Sequence, residues 1–379
     1  MISNPVFIKE LKNKLDNYPH DNQNCGIVLG DAGMILSLSE LYTYTKNEYY
    51  LDKMYEIFDT LLEQDNYDLS LGYGISGLAW CLSLIDEELI ENRNEWLMDI
   101  QSVLEIEYES MLEQGNLDYY RGATGLIFYF LNTSIKLGSI KKIIDLYLET
   151  VQIKLSKNDW FEPAYENSEY FGNILNFSTP HGLTGIILML LIIKEKEIEV
   201  DEKLIDSMFE IIFEYEFEDN EINDCHFPSR VFENGRRDAS GLAWCYGDLM
   251  IAYAMLKYGI LYKKDDYIQH SKIILKNSLS KKITHSETLI LCHGLPSLSL
   301  IYNVISKRTG EHIYNDASKL FEQKCKQVIS DSYSEYKKNR VPHYFFDRSS
   351  LLIGYSGFIL SSLFWDGYNG CDWKKCLLL

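Results

Sequence analysis

Proline and long apolar runs are both scarce in this sequence. The 379 residues include only 7 prolines, and the longest strongly apolar run, Gly182 to Ile193, is too short to cross a bilayer, which takes roughly 20 residues. No Pro/Gly/Ser-rich or low-complexity tract marks a domain boundary. We therefore expect a single domain over residues 1–379 with no transmembrane segment, although peripheral attachment to a membrane is compatible with this composition.

Positive charge is also in short supply. The formal net charge at pH 7 is -20, and no basic stripe is visible, so nucleic acid is a poor partner. The segment from Met1 to Leu15 lacks the apolar core of a signal peptide. Eight cysteines without such a peptide indicate a reducing compartment, where thiols are reactive, metal-bound or buried rather than disulfide-linked. The expected location is the cytoplasm.

A short unit recurs seven times along the chain. In it, a glycine, two variable residues and a second small residue open a strongly apolar stretch. The first glycines of the copies are Gly30, Gly74, Gly122, Gly182, Gly247, Gly294 and Gly354. We expect this glycine to allow a sharp turn into a helix, and the second small residue to allow close approach of a neighbouring helix. The fifth and sixth copies lack the second glycine, which predicts different local packing there.

The hydrophobic pattern indicates two kinds of helix. Each copy leads into a segment that is apolar on nearly all sides, such as Leu78–Ile85 or Ile186–Ile193, which is typical of a helix surrounded by other helices. The stretches between copies, such as Trp96–Glu113 and Ile140–Leu155, carry one apolar stripe and one charged face. About seven inner and seven outer helices predict an all-α protein, an α/α toroid, with no strand-rich run. We interpret the polar segment Phe217–Asp238 as a long surface loop.

Aligning the copies on their first glycine brings metal-binding residue types into equivalent positions. Two residues before that glycine, the fifth and sixth copies carry Cys245 and Cys292. One residue before it, the fourth and sixth copies carry His181 and His293. Two thiols and one imidazole suit zinc, and three protein ligands leave the open fourth position of a catalytic zinc site. His181 is either that fourth ligand or a nearby acid or base.

Asp118 lies four residues before Gly122, in the turn into the third inner helix. Its side chain either caps this helix, a common role of aspartate, or reaches the same end of the ring as His181. The adjacent Cys225 and His226 fall outside the repeat register, and we interpret them as a structural pair. The other cysteines, expected to be core or surface thiols, are Cys25, Cys81, Cys325, Cys371 and Cys376.

Three motifs resemble signatures of the lanthionine synthetase C-like family. They are Trp244–Leu249 with the sequence WCYGDL, the tripeptide Cys292–Gly294 with the sequence CHG, and Pro180–Gly182 with the sequence PHG. The seven repeated units and the C-terminal stretch Trp373–Leu379 also resemble the layout of that family. The sequence contains no kinase or lyase region, so we expect a protein that resembles the stand-alone cyclases of the family.

The resemblance implies an α/α toroid that holds one zinc ion per chain through Cys245, Cys292 and His293, with water or a substrate thiol in the fourth position. It implies a peptide cyclase, in which a cysteine of a ribosomally made, dehydrated precursor peptide adds to dehydroalanine or dehydrobutyrine. The products are lanthionine or methyllanthionine rings, and a separate dehydratase is the implied partner. His181 falls on the family's catalytic histidine, and Asp118 on an aspartate that would orient it or a substrate group.

One position departs from the family's pattern. Many members carry an arginine four residues before the first zinc cysteine, where this chain has Gly241. Arg121, Arg236 and Arg237 are the candidates to replace that arginine.

Three other functions fit the sequence less well. One is addition of glutathione to dehydrated residues, and another is a non-catalytic interaction scaffold that zinc merely braces. The third is glycan processing, which needs two carboxylates across a cleft. Asp118 and Asp248 would have to supply them, and the cysteines and histidine would then have no purpose.

Overall fold

The structure is a computed structural model that describes residues 5–18, 24–63, 68–133, 140–163, 172–218, 225–281, 288–330 and 348–379. These residues form fourteen α-helices and four short β-strands. The chain packs as two compact units, one comprising Met1–Glu105 with Glu287–Leu377 and the other comprising Ile106–Ser286. The single domain over the whole chain stays a prediction.

The helices alternate between buried and half-exposed along the chain. In chain order they are α1 (Pro5–Asp16), α2 (Ala32–Thr45), α3 (Glu48–Leu62), α4 (Ile75–Ser83), α5 (Arg93–Glu113), α6 (Ala123–Asn132), α7 (Ile140–Ser156), α8 (Leu183–Glu195), α9 (Glu202–Phe213), α10 (Asp248–Tyr262), α11 (Asp265–Ser278), α12 (Leu295–Thr309), α13 (His312–Ser330) and α14 (Tyr355–Trp365). Short 3-10 helices span Glu87–Leu89 and Trp373–Leu377. Nearly all of α8 is buried, whereas α9 buries one face. The predicted inner and outer helices are the even-numbered and odd-numbered helices, respectively.

The repeated glycines mark the starts of the buried helices. The N-terminal capping residues of six of these helices are Gly74, Gly122, Gly182, Gly247, Gly294 and Gly354. Their backbone is extended, so a left-handed turn is not the reason for glycine. A Cβ on Gly182 would instead lie 2.0 Å from the carbonyl oxygen of Asn176, six residues earlier. Of the seven first glycines of the repeats, Gly30 alone has a positive φ, 115°, the conformation that favours glycine.

At Gly185 and Gly357, the second glycine of the repeat is also confined by the turn that precedes the helix. A Cβ on Gly185 would lie 1.9 Å from the carbonyl oxygen of Thr179, again six residues earlier. Gly357 meets both the carbonyl oxygen of Leu351, at 2.1 Å, and the side chain of Leu291, at 2.5 Å. At these two glycines the tighter constraint comes from the turn itself. At Gly33, by contrast, the closest atom is the backbone N of Leu351 at 2.5 Å, so the expected approach of a neighbouring element is present there and at Gly357.

Backbone hydrogen bonds connect the turns that precede the buried helices. In the compact unit that contains residues 1–105 and 287–377, the N–H of Cys292 donates to the oxygen of Leu352 (2.8 Å), and the N–H of Leu352 donates to the oxygen of Ile27 (3.0 Å). In the compact unit that contains residues 106–286, the N–H of Thr179 donates to the oxygen of Cys245 (3.0 Å). Cys292 and Leu352 both lie two residues before a repeat glycine, so equivalent positions of two repeats are hydrogen-bonded there, whereas Ile27 and Thr179 lie one residue further from theirs.

The second compact unit, residues 106–286, contains a four-stranded antiparallel sheet that was not predicted. Its strands are β1 (Phe161–Pro163), β2 (Asn173–Asn176), β3 (Pro228–Phe232) and β4 (Arg237–Ala239), in the order β1-β2-β3-β4. The interpretation of residues 217–238 as a surface loop is wrong, because Cys225 and Phe227 are fully buried and β3 pairs with β2. Strands of three to five residues are too short to show a clear alternating pattern.

The predicted structural pair Cys225 and His226 lies beside the start of α10. The carboxylate of Asp248 accepts hydrogen bonds from the N–H groups of His226 (2.8 Å) and Phe227 (3.0 Å). It also accepts one from Lys281 Nζ at 2.8 Å. Asp248 is 1% exposed, so this carboxylate joins the sheet region to α10 and cannot face a glycan across a cleft.

Two histidines surround one carboxylate next to this network. Glu216 Oε1 lies 2.8 Å from His270 Nε2 and 3.7 Å from His226 Nδ1. Burial alone would raise the pKa of Glu216, but hydrogen bonds and positive charge from the two histidines outweigh burial and lower it to about 2.

Among the described residues, no helix combines the length and the apolar composition that a membrane span requires.

Gly185→Ala tests the tight turn. The new methyl group would overlap the Thr179 carbonyl, so we expect unfolding free energy to fall by at least about 2 kcal/mol, measured by chemical denaturation. Gly241→Ala is the matched control, because a Cβ there meets nothing closer than the oxygen of Tyr246 at 3.9 Å. Equal stability of both variants would contradict the crowding argument.

Glu216→Gln tests the histidine-flanked carboxylate. The pKa of Glu216 is lower in the folded protein than the roughly 4.3 of an unfolded glutamate. The ionised side chain therefore stabilises the fold, and this contribution is fully present above about pH 4.3. This stabilisation, about 1–3 kcal/mol, is lost as pH falls toward 2. We expect acid unfolding of the variant to depend less on pH across this window, whereas exposed Glu214→Gln should behave like the parent.

Candidate metal centre and acid–base pair

Cys292 and His293 lie in the turn that leads into α12. The backbone of Cys292 is fixed by its hydrogen bond to Leu352, and the residue is 8% exposed. Burial alone would lower the pKa of His293, but a hydrogen bond and negative charge from Cys292 raise it overall. Binding of a metal ion to the thiol and the imidazole would require both ligands to lose their protons.

Cys245 lies in the turn that leads into α10 and is 7% exposed. Its carbonyl oxygen accepts the N–H of Thr179, and the oxygen of the preceding Trp244 accepts the Thr179 hydroxyl at 2.9 Å. Trp244 is fully buried. The turn of Cys245 is therefore held against the turn that carries His181, two residues after Thr179.

The three predicted zinc ligands form one cluster. Cys245, Cys292 and His293 each offer one ligand atom, and these atoms lie within 4.8 Å of one another. Two thiolate sulfurs and one imidazole nitrogen are donor types that a tetrahedral zinc ion prefers. In the part of the chain that the structure describes, neither His181 nor another His, Cys, Asp or Glu joins this group. Its chemistry fits a zinc ion with one open position.

His181 is paired with Asp118 in the second unit. His181 Nδ1 lies 2.6 Å from Asp118 Oδ2. The other oxygen, Oδ1, accepts the backbone N–H groups of Tyr120 at 2.7 Å and Arg121 at 2.8 Å. Asp118 does not cap α6, because the N-terminal capping residue of that helix is Gly122. Its carboxylate instead fixes the turn before α6 and binds the imidazole. With Nδ1–H donated to Asp118, Nε2 is the nitrogen that can exchange a proton with a ligand.

Two tyrosines flank the imidazole. The ring of Tyr120 meets that of His181 edge to face at a centroid distance of 5.1 Å, and the ring of Tyr246 lies at 6.5 Å. Burial raises the pKa of Tyr246, which keeps its hydroxyl protonated. Neither tyrosine was predicted as a site residue, although Tyr120 lies two residues and Tyr246 one residue before a repeat glycine.

A cavity of about 370 Å³ opens beside the pair. Its wall includes Asp118 and His181, Arg121 from the turn before α6, Asn176 from β2 and Glu162 from β1. The sheet that the sequence did not predict thus forms part of the wall. The volume is sufficient for a few amino-acid residues of a peptide.

The three arginines proposed to replace the family's arginine lie in different places. Arg121 lines the cavity. Arg236 stacks on Phe232, with 3.7 Å from Cζ to the ring centroid, and Arg237 lies over Tyr215 at 5.4 Å. Of the three, Arg121 alone lines the wall that holds His181.

Comparisons with known proteins agree with this description. A sequence profile of the family described as lanthionine synthetase C-like protein matches residues 21–378. The solved structure of nisin cyclase matches with a TM-score of 0.77 at 19% identity, covering 98% of this chain and 96% of that chain. A D-mannose isomerase matches with a TM-score of 0.44 at 10% identity, covering 74% of this chain and 88% of that chain, which is too distant to bear on the fold.

The likeness to nisin cyclase confirms the predicted fold class, the α/α toroid. The profile match covers almost the whole chain, including Cys245, Cys292, His293 and the His181–Asp118 pair. The protein therefore belongs to the lanthionine synthetase C-like family.

Proposed function

We propose that this protein is a zinc-dependent peptide cyclase that adds cysteine thiols to dehydroalanine or dehydrobutyrine in a ribosomally made precursor peptide. The products are lanthionine and methyllanthionine rings. The observation that carries the proposal is the cluster of Cys245, Cys292 and His293, whose ligand atoms lie within 4.8 Å of one another. Two sulfurs and one nitrogen leave room for one more ligand at a zinc ion.

Cys245, Cys292 and His293 would hold one zinc ion per chain. A zinc ion bound there would stabilise the thiolate form of an incoming cysteine, whose thiol ordinarily has a pKa near 8.5. The protein would contribute to zinc binding by fixing the positions of the three ligand side chains. The backbone hydrogen bonds of Cys245 and Cys292 to neighbouring turns supply that rigidity.

His181 would supply the proton that completes the addition. The substrate sulfur forms a bond to Cβ of the dehydrated residue, and the electron pair of the C=C bond moves to form an enolate. Protonation at Cα restores the carbonyl group, so the net change is addition of S–H across the double bond, with no oxidant or second substrate. His181 Nε2 is suited to this donation, because Nδ1 is bound to Asp118.

Asp118 would act by holding His181. Its carboxylate fixes the imidazole orientation and leaves the proton-exchanging nitrogen toward the ligand. Because its Oδ1 is bound to two backbone N–H groups, the carboxylate itself has little freedom to rotate.

The proposed substrate also implies a partner enzyme and a cellular location. A precursor peptide needs a dehydratase to convert Ser and Thr, so we propose a separate dehydratase as partner and the cytoplasm as location. A cavity of about 370 Å³ beside His181 accepts only part of such a peptide at one time.

Cys245→Ala and Cys292→Ala test the metal centre. Each leaves two ligands, so we expect zinc content to fall from about one ion per chain to near zero, with affinity at least about 100-fold weaker. Elemental analysis and thiol consumption on a synthetic peptide that contains cysteine and dehydroalanine would measure both effects. Cys371→Ala, whose thiol lies outside the cluster, should retain zinc and activity. A full zinc complement in both cluster variants would refute the assigned ligands.

His181→Asn tests the proton donor. We expect a loss of about 10²–10⁴-fold in turnover with zinc content unchanged, because His181 is not part of the ligand cluster. His312→Asn, at an exposed position on α13, is the control. If the parent protein binds zinc but consumes no thiol, the result would instead indicate a non-catalytic interaction scaffold that zinc braces.

Mass spectrometry of the product separates ring closure from glutathione addition. Closing a ring leaves the mass of the dehydrated peptide unchanged, whereas addition of glutathione increases it. With both thiols present, we expect an unchanged mass, and a dominant glutathione adduct would contradict the cyclase assignment.

A further inference from the structure

The proposed reaction creates negative charge that His181 does not neutralise at once. When sulfur bonds to Cβ, charge develops on the carbonyl oxygen of the dehydrated residue. A hydrogen-bond donor directed at such an oxygen is one of the largest contributions to catalysis in related acyl chemistry. The cavity beside His181 therefore needs a donor, preferably a cationic one.

Apart from Arg121 and His181, the charged groups that line this cavity are three carboxylates and one lysine. Glu162 and Asp159 line its wall together with Lys154. Lys154 forms an ion pair with Glu162, and its Nζ lies 5.8 Å from the ring centroid of Trp160. Asp118 is bound to His181. Without a further cation, an oxyanion here would face carboxylates in a protein of net charge -20.

Arg121 is the other cationic residue of the cavity wall. Its backbone is fixed on both sides, because its N–H donates to Asp118 Oδ1 at 2.8 Å and its carbonyl oxygen accepts Asn116 Nδ2 at 3.3 Å. The side chain is exposed and lines the cavity. The carboxylate that orients His181 therefore also positions the backbone from which the guanidinium extends.

The turn of Arg121 adjoins the turn of His181. Both residues immediately precede the first glycine of a repeat, and helices α6 and α8 that follow are in contact. The N–H of Tyr119 donates to the oxygen of Pro180 at 2.9 Å, which joins the two turns. Arg121 and His181, the candidate donors for the carbonyl oxygen and for Cα, therefore line one cavity from adjoining turns.

We infer that Arg121 stabilises the enolate oxygen formed when the thiolate adds to the dehydrated residue, a role that rests on the proposed cyclase function. The guanidinium donates hydrogen bonds to the oxygen while the C=C electron pair is displaced, and His181 Nε2 then protonates Cα. No proton leaves Arg121, which remains a cation throughout.

Arg121→Gln and Arg121→Lys test this role with the synthetic cysteine and dehydroalanine peptide as probe. Loss of one oxyanion donor typically reduces kcat about 10²–10³-fold, so we expect kcat of the Gln variant to fall at least 100-fold. We expect KM and zinc content to change little, and Lys to retain part of the rate because it keeps the charge. Guanidinium chloride at millimolar concentration should restore part of the activity of Arg121→Ala.

Arg236→Gln is the matched control, because Arg236 stacks on Phe232 and should be dispensable for kcat. An increase in KM alone in the Arg121 variants would assign Arg121 to peptide binding and overturn the inference. Unchanged kinetics would overturn it too. If the parent protein itself consumes no thiol, the proposed cyclase function fails, which is distinct from failure of the Arg121 variants against an active parent.

Discussion

Backbone hydrogen bonds between the turns that precede the buried helices determine where the candidate side chains lie. Thr179 bonds to Cys245, Tyr119 bonds to Pro180, and Cys292 bonds to Leu352. Each of these turns is short and crowded, since a Cβ on the repeat glycine would overlap a carbonyl six residues earlier. Main-chain geometry therefore fixes these positions, and different side chains can occupy them without changing the path of the chain.

This constraint explains why much of the site could be predicted from the sequence. The glycine marks a fixed point in every unit, so counting back one or two residues identifies equivalent positions. That count gave Cys245, Cys292 and His293, which the structure brings into one cluster. It also gave His181, for which the sequence left two roles open, fourth ligand or acid–base group. The proposed acid–base role rests on the hydrogen bond of His181 to Asp118. A pattern along the chain specifies position but not the direction of a side chain.

The β-sheet shows what the pattern could not reveal. Its strands are too short for a periodicity to emerge, and β2 pairs with β3 across more than fifty residues of sequence, as in Leu175 opposite Val231. The polar composition of residues 217–238 suggested exposure, yet Cys225 and Phe227 are buried because Asp248 binds the main chain there. Pairing between distant segments depends on tertiary contacts, which local composition does not encode.

The shared carboxylate of Asp118 constrains how this member of the family can change over evolutionary time. One side chain holds both an imidazole and the backbone that carries a guanidinium. Energetic contributions of two groups that depend on a common anchor do not add independently. Replacements at 118, 121 and 181 are therefore coupled, and these three positions should vary as a set rather than singly among its descendants.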